Sequence, residues 1–250
     1  MRKTITLSCL AATVAGLAAL CAAPAQAVPQ NFAQFTEGVG APPKPFTFTN
    51  SGASSTFSLV GSIPVNFVYQ TPNGYGTAPG QTIAATLTFT SQVSAPAATG
   101  FGFIGQPMQN ILLTFTANAP VSGFSNLLTV SMTTGTLAGQ NGGSTASLSG
   151  TQSSTSFDQV NYASDFLDFS IPFSNKNFNL SFDSVVPIFT LNANGYVDSF
   201  NASGTGTFGS DPVPPSRPPG GVVPEPGTLV LAGMGAFSGL GMLRRRSRRG

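Results

Sequence analysis

The stretch Thr86-Leu87-Thr88-Phe89-Thr90 alternates threonine with a large apolar residue. Successive side chains of a β-strand point to opposite faces, so this spacing places Leu87 and Phe89 on one face and the threonines on the other. β-Branched and aromatic side chains also suit a pleated surface. The stretch therefore predicts a strand with one face in a core and the other face in water.

The same alternation recurs along most of the chain. It predicts strands near residues 45–50, 56–61, 64–70, 81–92, 109–117, 124–135, 144–152, 164–172, 176–183, 186–193 and 196–208. Turn-forming sequences separate these runs, and Asn194-Gly195 is the best candidate for a tight hairpin turn. No helical face of three turns precedes Pro224. The sequence thus predicts an all-β fold, a single antiparallel β-sandwich or jelly-roll-like domain.

The types of residue that the body lacks restrict its chemistry. The chain has no histidine, and both cysteines, Cys9 and Cys21, lie within the first 27 residues. Histidine is the commonest general base and the commonest transition-metal ligand. We therefore expect the body to have no catalytic residues, no enzymatic activity and no cofactor.

The positive net charge of the chain comes from its two ends. Between residues 28 and 221, three positive side chains stand against seven negative ones, which gives a net charge of −4. A nucleic-acid-binding domain needs a basic patch on its surface. We therefore expect no nucleic-acid partner.

Residues 1–27 have the three parts of a secretory signal peptide. A positively charged start precedes an apolar run, and Ala25 and Ala27 provide the small-x-small pattern of a cleavage site. Signal peptidase is expected to cut before Val28. The segment predicts a signal helix and export of the protein.

The last part of the chain predicts an attachment to the membrane. Residues 28–208 form the predicted domain, and residues 209–222 are a proline-rich linker of extended geometry. Residues 227–243 carry no charge and span about 25 Å as a helix, which is the short limit for a transmembrane helix. The basic side chains that follow are expected to stay in the cytoplasm; they are Arg244, Arg245, Arg246, Arg248 and Arg249.

Residues 223–250 resemble the PEP-CTERM sorting signal of exported bacterial proteins. The matching parts are Val223-Pro224-Glu225-Pro226-Gly227, the uncharged segment 228–243 and Arg244-Arg245-Arg246. The resemblance implies that an exosortase recognises the signal and cleaves near the triplet, so that Pro224, Glu225, Pro226 and Gly227 are recognition residues in a substrate.

The resemblance also implies a destination. A precursor held in the inner membrane would become a non-catalytic cell-surface or extracellular-matrix protein, associated with exopolysaccharide or biofilm. The alternative is a carbohydrate-binding, lectin-like β-sandwich on a plain C-terminal membrane helix. In that case Tyr69, Tyr75, Tyr162 and Tyr196 are available to stack on sugars, unless they pack in the core or at an edge.

Acidic residues are concentrated at Asp158, Asp165 and Asp168. Loop carboxylates suit calcium, and these three are the candidate ligands, although no metal-binding motif includes them. A pair of carboxylates can also serve acid–base catalysis. We favour the interpretation that these carboxylates are solvated charges at strand edges, where they discourage pairing between sheets.

Overall fold

The structure, a computed structural model, describes residues 29–70, 80–152, 159–173 and 175–217. Within these residues the chain forms β-strands and no helix, which confirms the predicted all-β class. The strands are β1 Gln30–Glu37, β2 Phe46–Thr49, β3 Thr56–Leu59, β4 Ile63–Tyr69, β5 Thr82–Val93, β6 Ala98–Gly100, β7 Phe103–Val121, β8 Phe124–Gln140, β9 Ala146–Gln152, β10 Val160–Ala163, β11 Asn175–Val186 and β12 Phe200–Asp211. The predicted signal helix and transmembrane helix lie outside the described residues.

The strands form one antiparallel sheet that closes on itself. β5 pairs with β7 on one side, and on its other side with β4 and then β3. β12 pairs with β11 on one side, and with β2 and then β1 on the other. On one side the sheet closes because β1 pairs with β4 and β2 pairs with β3. On the other side, β7, β8, β9 and β11 pair in that order and connect β5 to β12. The structure therefore has one closed antiparallel sheet in place of the two separate sheets of the predicted sandwich.

Phenylalanine rings fill the interior of this closed sheet. Phe57 on β3 is fully buried and makes ring contacts with strands on several sides of the core. Its ring partners are Phe46, Phe48, Phe89, Phe182 and Phe200, with centroids 4.9 to 6.3 Å away. Buried aromatic pairs at these distances contribute beyond the apolar area that they bury. The aromatic content therefore stabilises the closed form of the sheet.

Strand β1 was not predicted from the sequence. Its buried residues Phe32 and Phe35 are three positions apart, which interrupts a period of two. The register against β12 shifts between Asn31 and Ala33, so this strand carries a bulge. A bulge inserts one residue and moves the following side chains to the other face, which explains why alternation did not reveal the strand.

The predicted strand at 164–172 is wrong, because local hydrogen bonds take the place of a ladder. The Ser164 hydroxyl oxygen accepts a hydrogen bond from the backbone N–H of Phe166 at 3.0 Å. The Asp168 carboxylate accepts one from the N–H of Ser170 at 2.9 Å. Serine and aspartate often stabilise turns in this way at the expense of regular structure.

The predicted strand at 186–193 is also wrong. Val186 is the last residue of β11, and the residues after it form a loop in which Pro187 has no N–H to donate. A single bridge joins Leu191 to Val197 across the predicted Asn194-Gly195 turn. The turn itself is present, since Gly195 adopts φ 78° and donates its N–H to the Asn192 carbonyl.

Candidate functional site

The chain segment that leads to the predicted sorting signal is docked on the body as far as Arg217. β12 continues to Asp211, past the predicted domain boundary at 208. Val213 packs against the core, and Ser216 forms an isolated bridge with Leu167. The described part of the predicted linker is therefore attached to the body and does not form a free spacer.

Backbone hydrogen bonds hold this segment against the loop after β10. The N–H of Asp168 donates to the Pro215 carbonyl at 2.9 Å, and the N–H of Arg217 donates to the Phe166 carbonyl at 2.8 Å. Hydrogen bonds from Ser170 lower the pKa of the Asp168 carboxyl, and the nearby positive charge of Arg217 lowers it further. The loop thus presents a carboxylate beside the last described cation of the segment.

The acidic residues are not brought together into a metal centre within the described part of the chain. Asp158 lies outside the described residues. The Asp165 carboxylate accepts hydrogen bonds from the backbone N–H groups of Ser125 at 3.3 Å and Asn126 at 2.8 Å. Asp165 therefore ties its loop to the start of β8, which is a structural use of the charge.

We expect chelation to leave the thermal stability of the protein unchanged. The carboxylates of Asp165 and Asp168 already accept backbone hydrogen bonds, so they need no cation for stabilisation. The measurement is the melting temperature with and without EDTA. A lower melting temperature in EDTA that calcium alone restores would contradict this expectation and would favour calcium at Asp158, Asp165 and Asp168.

The tyrosines considered for sugar stacking are mostly enclosed. Tyr69 is fully buried and donates its hydroxyl to the Leu127 carbonyl at 2.6 Å, while Tyr162 donates to the carbonyl of Asn177. Burial raises the pKa of both phenols. Tyr196 is partly buried against the core, and Tyr75 lies outside the described residues. Tyr69 and Tyr162 therefore serve packing, and neither ring is available to a ligand.

The residues of both predicted sorting segments lie outside the described residues. They are Ala25, Ala27, Val28, Pro224, Glu225, Pro226, Gly227, Arg244, Arg245, Arg246, Arg248 and Arg249. Across the ranges that the structure does describe, no helix has the length and apolar character needed to cross a membrane. These residues are consequently identified by sequence alone.

Comparisons with known proteins bear on the C-terminal segment. No curated protein matches the chain, and no solved structure matches it either. A family model described as the PEP-CTERM protein-sorting motif matches residues 222–249. The chain therefore carries a PEP-CTERM protein-sorting motif at residues 222–249. The β-rich body that precedes this motif matches no other family model.

Proposed function

We propose that the protein is an exported, non-catalytic component of the cell surface or extracellular matrix, sorted by an exosortase. The observation that carries the proposal is the C-terminal motif at 222–249. An uncharged segment and an arginine cluster follow the Pro-Glu-Pro triplet, and together they suit a precursor held in the membrane with its body outside. Association with exopolysaccharide or biofilm is part of this proposal.

The docked segment limits how far the body lies from the processing enzyme. Pro224 lies seven positions after Arg217, the last described residue. An extended chain of that length spans at most about 25 Å. A free linker from residue 209 would have allowed roughly twice this reach. We infer that the exosortase acts on a substrate whose folded body is close to the membrane surface.

The chemistry of the body supports a non-catalytic role. The mature chain has neither histidine nor cysteine. The carboxylates of Asp165 and Asp168 are engaged by backbone N–H groups, so this pair is held in structural contacts. These features favour a binding or structural protein over a hydrolase.

Mass spectrometry of the mature protein tests the sorting proposal. The protein is expressed in a host that carries an exosortase and in an otherwise identical host without one. We expect a new N-terminus at Val28 in both hosts, and loss of the residues after the Pro-Glu-Pro triplet only where the exosortase is present. An intact C-terminus in both hosts would contradict the proposal and would indicate a plain membrane anchor.

A further inference from the structure

We propose that a groove on the outer face of the sheet binds a neutral glycan chain. The groove crosses β7, β8, β9, β11 and β12, which are neighbours in the sheet, and its volume is about 540 Å³. Ligand sites in proteins commonly have volumes of ~300–1,000 Å³. The crossing covers four inter-strand spacings, or roughly 19 Å. This elongated shape suits a chain of linked sugars better than a compact small molecule.

The floor of the groove is a row of small side chains. Ala138, Ser147, Ser181 and Thr205 lie directly opposite one another on four adjacent strands. Their sequence neighbours face the core, as the burial of Leu137, Leu148 and Leu180 shows. The row therefore faces outward. Short side chains at these positions leave a depression where longer ones would cover the backbone.

The lining offers hydrogen-bonding groups that suit sugar hydroxyls. Gln140, Thr145, Ser147 and Thr205 line the groove, and across the described ranges no hydrogen bond occupies their side chains. Hydroxyl and amide groups both donate and accept hydrogen bonds. A sugar hydroxyl does the same, so the groove can pair with a polyhydroxylated ligand without adding a charge.

Phe103 stands at one end of the groove as an exposed aromatic wall. Its side chain is 60% exposed at the start of β7, whereas many other phenylalanines of the protein are buried in the core. The C–H face of a sugar ring is apolar and packs against an aromatic ring, while its hydroxyls remain available to polar neighbours. Phe103 thus supplies the apolar contact that the hydroxyl row lacks.

The charges around the groove select a neutral glycan. Asp183 lines the groove, and its lining residues include no cation. Glu37 is close by, since its carboxylate accepts a hydrogen bond from the N–H of Gly204, another lining residue, at 2.7 Å. Burial raises the pKa of Glu37, and the negative charge of Asp183 adds to the shift. The carboxylate of Asp183 in the lining therefore repels a polyuronate, whereas a neutral chain is unaffected.

A binding assay on the full-length chain, purified in detergent, tests the site. The probes are immobilised neutral oligosaccharides (glucans, mannans and galactans) and polyuronate oligosaccharides of similar length. We expect saturable binding to at least one neutral series and none to the polyuronates. Phe103→Ala is expected to weaken binding at least tenfold, and Ser147→Glu, which places a long charged side chain in the row, is expected to abolish it.

A matched control is available on the same hairpin. Phe124 is also partly exposed, but it follows the far end of β7, roughly 60 Å along the strand from Phe103. Phe124→Ala should therefore bind like the wild type. Asp183→Lys should allow binding of polyuronates while the fold is preserved, because residue 183 is exposed.

The outcomes are decisive in both directions. Failure of every neutral series to bind would overturn the proposal, and so would binding that Phe103→Ala and Ser147→Glu leave unchanged. The inference rests on the proposed surface location, where a glycan is accessible. The two tests fail separately, since the mass of the C-terminus reports on sorting and the binding assay reports on the groove.

Discussion

Replacing Pro224-Glu225-Pro226 by three alanines is expected to leave the protein unprocessed and retained in the membrane. The substitution keeps the uncharged segment 228–243 and the arginines, so hydrophobic anchoring should survive. A processing enzyme reads side chains and the extended backbone that proline imposes. The intact mass in a host with an exosortase should therefore include the C-terminal segment, whereas the wild type loses it.

A control substitution separates the motif from proline content in general. Pro218→Ala with Pro219→Ala changes two prolines just outside the segment that matches the sorting motif. We expect this variant to be processed like the wild type. Retention of the C-terminal segment by both the wild type and the triple alanine variant would contradict the sorting hypothesis and leave a plain anchor.

Neutralising the C-terminal arginines should produce a different defect. Arg244, Arg245, Arg246, Arg248 and Arg249 provide the charge that keeps this end in the cytoplasm. Their replacement by glutamine leaves the triplet intact but removes the orientation signal, so unprocessed protein should pass through the membrane. Two distinct defects support a sorting signal, whereas a plain anchor predicts only the second.

Phe57→Ala is expected to lower the free energy of unfolding of the body by about 3–5 kcal/mol, the usual cost of truncating a buried phenylalanine. Phe57 has no exposed surface and contacts rings on β2, β5, β11 and β12. A cavity at this position would remove contacts on several sides of the closed sheet at once. Denaturant unfolding followed by circular dichroism measures the change.

Phe101→Ala is the matched control for this loss. Phe101 is fully exposed at the turn between β6 and β7, so its truncation creates no cavity. Its effect should stay within about 0.5 kcal/mol. If Phe57→Ala were equally mild, the aromatic core would not hold the closed sheet together, and our account of its stability would be wrong.

The predictions from sequence succeeded where a pattern repeats over consecutive residues. The alternation at Thr86–Thr90 lies within β5, where Leu87 and Phe89 are buried as predicted. The alternation failed at β1, where a bulge changes the period, and at 164–172, where Ser164 and Asp168 form local turns. The two failures have different causes, since an inserted residue in β1 moves the following side chains to the other face, whereas local hydrogen bonds at 164–172 replace strand pairing altogether.

The sorting motif and the groove differ in whether the sequence alone reveals them. The sorting motif is a linear signal, so the identity and order of residues 222–249 are sufficient to recognise it. The groove is different, because it joins Phe103, Ser147 and Thr205, which are far apart in the sequence. Only the register of the closed sheet brings these side chains into one groove.

The sequence by itself determined the all-β class and the C-terminal sorting motif, because both depend on residues that are near neighbours in the chain. Tertiary structure decided that one sheet closes on itself, that the segment up to Arg217 docks on the body, and that the outer face carries a groove. Each of these features depends on pairing between distant strands. The free energy that stabilises such pairing comes from burial in the shared core. The local pattern of residues specifies neither which strands share that core nor their register.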